Sequence, residues 1–137
     1  MSATTPTHAH DLLQRAAAGD VIRLPADLAQ RLLSAASAAD IELLLGLASP
    51  HRRARRDAAL RRAAGLLTEA DASIRHRAAV LAAALCRFES VVWPRVLKGQ
   101  PVDTLGPADQ ALAVAFTEAG GGCMPHSESH LATLFCA

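Results

Sequence analysis

Four side chains near the C-terminus, Cys123, His126, His130 and Cys136, follow the spacing C-x2-H-x3-H-x5-C and are of the types that hold tetrahedral zinc. Cys123 and His126 suit a knuckle after a glycine run, and His126 and His130 stand one helical turn apart. Cys136 is harder to recruit, because its distance from His130 puts it on another helical face, and the set matches no standard zinc-finger spacing. His126-Ser127-Glu128 has the H-x-E order of zinc deaminases, but too little chain follows for their P-C-x-x-C pair. The metalloprotease order H-E-x-x-H is absent. Gly120-Gly121-Gly122 lacks the lysine and flanking strand of a phosphate-binding loop, and neither a dinucleotide fingerprint nor a nucleophile elbow occurs. The expectation is therefore a non-enzymatic protein without catalytic residues, and with no cofactor beyond zinc at this one cluster.

A second constellation has a different chemistry. Arg52, Arg53, Arg55, Arg56, Arg61 and Arg62 crowd into one short stretch, and Arg75 and Arg77 follow. Guanidinium forks bind phosphate or carboxylate oxygens in a bidentate manner, which an ammonium cannot do. Ser49-Pro50 reads as a cap followed by a first-turn proline, so the first arginines fall at a helix N-terminus. That end of the helix dipole is already positive, and each added cation there costs about 0.3–1 kcal/mol. A bound anion reverses the cost. The candidate interface has Arg52, Arg53, Arg55 and Arg56 holding nucleic-acid phosphates at the helix start, with Arg61, Arg62, Arg75 and Arg77 widening it. The competing arrangement is internal: Asp57 lies four residues from both Arg53 and Arg61, and Asp20, Asp27, Asp40 and Glu42 offer further carboxylates.

Charge is laid out to favour such a surface. The chain has a formal net charge of only +1, yet residues 51–98 contain eleven arginines and lysines against four acids, whereas residues 99–137 carry four acids and no lysine or arginine. An asymmetry of this kind marks an electrostatic binding face, with nucleic acid as one class of partner. An acidic protein partner, or self-association through the acidic flank of a second copy, is the alternative, as expected of an assembly module.

Those residues must be positioned by helices. At 137 residues the chain is of single-domain length, with 51% apolar residues but only 3% aromatic ones and no tyrosine. A core built from Ala, Leu and Val, with few sheet-forming residues, points to an all-α fold: a compact bundle of six or seven helices packed closely through alanine, occupying residues 1–137 as one domain. Three cysteines do not make a disulfide scaffold. The N-terminal residues lack the basic start and apolar stretch of a signal peptide. The longest uncharged apolar run, Ala78 to Cys86, is far below the roughly 20 residues that span a bilayer. A soluble, cytoplasmic protein with no membrane partner is expected.

Caps and breakers divide the chain further. Thr7 is a cap for a first helix stopped by Gly19, and Pro25 suits the first turn of a second. Ser37 with Asp40 resembles an acidic capping box and starts a third. The arginine helix runs to about Leu67 on a stripe of residues 53, 56, 60, 63, 64 and 67 whose second half belongs in a core. Ser73 or Asp71 caps a long helix with the apolar stripe Ile74, Ala78, Leu81, Leu85 and Phe88. Pro94 must kink its continuation or mark a new short helix. Pro107 opens the next, which a Gly-rich loop at 120–126 separates from a short final helix at about Ser127 to Phe135. Phe88, Trp93, Phe116 and Phe135 read as core residues, which argues against recognition of single strands by base stacking.

Overall fold

The computed structural model describes residues 3–120 and 124–136. Among them the chain is all-α, with no strand, and it separates into two compact units, Met1–Arg52 and Arg53–Ala137. The described residues form eight α-helices, α1 (Pro6–Ala17), α2 (Ala26–Leu33), α3 (Ala38–Leu44), α4 (Ser49–Leu67), α5 (Ile74–Arg87), α6 (Trp93–Leu97), α7 (Pro107–Ala119) and α8 (Glu128–Ala132). No helix among the described residues is long and apolar enough to cross a membrane.

In the first unit the first helix starts earlier than Thr7 implies. Thr5 caps α1, its hydroxyl accepting from the His8 amide, and Pro6 takes the first turn, where its missing N–H is harmless. Pro25 sits at the cap of α2 rather than inside it. Ser37 caps α3 as expected, accepting from the Asp40 amide at 3.2 Å, while the Asp40 carboxylate accepts from the Ala36 amide. Asp27 of α2 is the hub that ties down the segment before α1. Its carboxylate accepts from the Thr4 amide at 2.6 Å and the Thr4 hydroxyl at 2.8 Å, and Arg31 reaches both that carboxylate and the Thr4 carbonyl. The Thr4 amide, then the Thr4 hydroxyl, then Arg31 hold the Asp27 carboxyl down at about 2. Gly46 follows α3 with a left-handed φ of 70°, and a Cβ there would stand 2.6 Å from the Pro6 carbonyl oxygen. Only glycine lets α3 turn so close to the start of α1.

The second unit holds an alanine- and leucine-rich core. Leu60, Ala63 and Ala64 of α4 are buried with Ala78, Leu81 and Leu85 of α5, Leu112, Ala113 and Ala115 of α7, and Leu131 of α8. Along α4 the buried stretch begins at Ala59 and ends at Ala64, whereas Leu66 and Leu67 are 49% and 41% exposed. Leu67 therefore lies outside the core stripe: it comes one turn past the last packed position, where Thr68 already closes the helix by donating to the Ala64 carbonyl at 2.7 Å. Ser73 caps α5 through the His76 amide. The segment between α5 and α6 is a π turn, Phe88–Val92, after which Pro94 occupies the first turn of α6. A proline in an unbroken α-helix removes one hydrogen bond and clashes with the carbonyl four residues back. Widening the ladder just before Pro94 and restarting the helix at Trp93 avoids both. The turn also buries Phe88, whose ring lies 6.0 Å from Trp93 and 5.1 Å from Phe116, with Trp93 and Phe116 5.4 Å apart. Gly120, with φ 58°, ends α7 in the left-handed conformation.

Candidate nucleic-acid interface

The arginines divide into those already engaged and those that are not. Arg52, at the end of the first unit, donates from Nε to the Leu47 carbonyl at 2.8 Å, in the turn between α3 and α4. Arg55 Nε stands 3.1 Å from Glu118 Oε1 of α7, and Glu118 is only 10% exposed in its side chain. Arg56 donates to Asp57 Oδ1 from both Nε and Nη2, at 2.9 and 2.7 Å. Three of the four arginines expected to hold phosphates at the helix start thus have internal partners. The pairing differs from the four-residue spacing read in the sequence, since Asp57 takes its immediate neighbour Arg56 rather than Arg53 or Arg61.

Arg53, Arg61, Arg62 and Arg75 are exposed, and among the described residues they make no ion pair and no side-chain hydrogen bond. Arg53, Arg61 and Arg62 fan over about half of the α4 circumference at ~100° per residue. Arg77 is half-buried and fixed, donating from Nη2 to the Ala70 carbonyl at 2.7 Å in the turn between α4 and α5. Arg61 and Arg77 come from different helices yet line one cavity of about 390 Å³, together with Leu134, Phe135 and Cys136. The sequence carried no sign of that convergence. Phe135, grouped with the core aromatics by composition, is half-buried beside this cavity instead of enclosed like Phe88. Glu118, too, was invisible as a partner for Arg55, being far away in sequence and outside any motif.

Of the zinc constellation, His126, His130 and Cys136 lie among the described residues. Cys123 lies outside the described residues. His126 is exposed, with Nε2 3.9 Å from Glu89 Oε2, and His130 is exposed at the start of α8, its amide donating to Ser127 Oγ. Cys136 is exposed beside the arginine-lined cavity and donates from Sγ to the Ala132 carbonyl at 3.5 Å. Among the described residues no group of three or more His, Cys, Asp or Glu side chains is gathered as metal ligands would be.

No protein-family model matches the chain, and neither a curated protein nor a solved structure is significantly similar to it.

Proposed function

We propose that the chain is a non-enzymatic binding protein that docks on duplex nucleic acid through phosphate contacts made by Arg53, Arg61, Arg62, Arg75 and Arg77. The observation that carries this reading is the division among the arginines. Asp57, Glu118 and Asp109 are matched by Arg56, Arg55 and Arg87, while four guanidiniums on α4 and α5 stand exposed with no ion pair among the described residues. An exposed guanidinium without an internal partner can take a phosphate with no ion pair to break, and the summed field of several such groups draws in a polyanion. Arg55 and Arg56 then serve the fold, and Arg52 ties the start of α4 to the turn before it.

The test sets two groups of substitutions against each other. At low salt, Arg53→Ala with Arg62→Ala and Arg75→Ala is expected to weaken binding to a labelled blunt DNA duplex by at least tenfold. Arg56→Ala, which breaks the pair with Asp57, leaves that affinity within about twofold, as expected for a group that contacts no phosphate. Absence of duplex binding by the unmodified protein ends the proposal. Light scattering on the same samples then asks whether the arginines meet a second copy instead.

A further inference from the structure

The cavity between α4, α5 and the C-terminal turn is chemically unlike the rest of the arginine surface. Arg61 and Arg77 bring two guanidiniums to it, Leu134 and Phe135 supply apolar and aromatic surface, and Cys136 completes a lining that stays open to solvent. Its volume of about 390 Å³ is in the roughly 300–1,000 Å³ range of small-molecule sites. Arg77 is held in place by its bond to the Ala70 carbonyl, and its Nε is buried without a hydrogen-bond partner, so the guanidinium is fixed while one of its donors lacks an acceptor. Arg61, exposed on the last turns of α4, makes no side-chain hydrogen bond or ion pair among the described residues. A flat duplex backbone would use the two arginines and leave the aromatic wall without a role.

We infer that this cavity binds a single unstacked nucleotide, its phosphate between Arg61 and Arg77 and its base against Phe135. Guanidinium pairs bind phosphate oxygens with charge-assisted hydrogen bonds, and an aromatic ring stacks on any base because every base has a π face. The same chemistry fits a free nucleoside monophosphate and an unpaired nucleotide at the end of a strand. The inference shares Arg61 and Arg77 with the proposed phosphate surface and deepens that reading, yet it can stand or fall separately.

Adenosine 5′-monophosphate is titrated into the full chain by calorimetry, beside inorganic phosphate, and a blunt duplex is compared with one carrying a single unpaired 5′-phosphorylated adenosine. The unmodified protein is expected to bind the monophosphate at least fivefold more tightly than phosphate. Phe135→Leu, which keeps an apolar side chain against the core, is expected to abolish that preference while leaving blunt-duplex affinity unchanged. Arg61→Gln, at an exposed position that the fold does not need, is expected to weaken the monophosphate as well. A fivefold or greater preference for the overhang, lost in Phe135→Leu, assigns the nucleotide to a strand end; monophosphate binding without it assigns the free nucleotide. No monophosphate binding up to about 10 mM overturns the inference. Equal affinity for phosphate and the monophosphate, unmoved by Phe135→Leu, overturns it too. Duplex binding without monophosphate binding removes this site alone, and the reverse result removes the duplex reading alone.

Discussion

Arg55 Nε of α4 stands 3.1 Å from Glu118 Oε1 of α7, and the two side chains retain only 24% and 10% of their exposure. Arg55 Nε and Nη2 are buried without a well-aligned hydrogen-bond acceptor, so the carboxylate compensates the charge more than it satisfies the donors. Removing one partner of a buried pair strands the other charge. Glu118→Ala is expected to lower stability by about 2–3 kcal/mol, less than the roughly 3–5 kcal/mol of fully buried pairs because Arg55 keeps some solvent. Replacing both residues by leucine recovers most of the loss. The comparison is read from urea unfolding midpoints of the two variants; a Glu118→Ala midpoint equal to that of the unmodified protein contradicts the account of this pair.

Asp27 supplies the pH dependence. Its carboxyl is held at about 2 by the Thr4 amide and hydroxyl and by Arg31, below an ordinary value of 3.8. A depressed carboxylate contributes its stabilisation in full above its unfolded value and loses it as pH falls through the folded one. The clasp on Thr4 is therefore expected to be intact at pH 5 and above, and to release between about pH 4 and 2. The Thr4 amide proton, followed by NMR, should titrate with a midpoint near 2 in the unmodified protein. Asp27→Asn should abolish that titration, and a midpoint near 4 in the unmodified protein would mean that Thr4 is not held there.

At Gly46 backbone and space act together. Its φ of 70° disfavours any side chain, and a Cβ would meet the Pro6 carbonyl oxygen at 2.6 Å, a backbone atom that cannot swing aside. Gly46→Ala is expected to destabilise the first unit by about 2 kcal/mol or more, the combined cost of a strained left-handed residue and a displaced helix start. Gly65→Ala, with open space around its Cβ position and a helical backbone, should be neutral or stabilising by up to about 1 kcal/mol. Thermal unfolding of the two variants measures the contrast, and equal effects would remove the steric argument.

How much of this was legible in the sequence depended on the range of the forces involved. Ser37, Ser73, Ser127 and Pro107 mark helix starts because caps and first-turn prolines act over three or four residues. The alanine-rich all-α fold followed from composition for the same local reasons. Thr5 displaced Thr7 as the first cap because Pro6 takes the first turn, a competition between two neighbouring signals. The pairing of Arg55 with Glu118 and the meeting of Arg61, Arg77 and Phe135 are set by how helices pack, and no spacing along the chain encodes them. The arginine stretch could be seen as a binding surface, but which guanidiniums keep their charge for a partner was decided by packing.

The salt dependence of duplex DNA affinity tests the central claim most directly. Each phosphate neutralised by an arginine contributes about −0.9 to the slope of log affinity against log salt. The unmodified protein is expected to show a slope of about −3 to −5, and the variant lacking the guanidiniums of Arg53, Arg62 and Arg75 a slope shallower by about 2–3. A steep slope that the triple variant leaves unchanged, or no binding at about 50 mM salt, would contradict the assignment of these arginines to nucleic-acid phosphate.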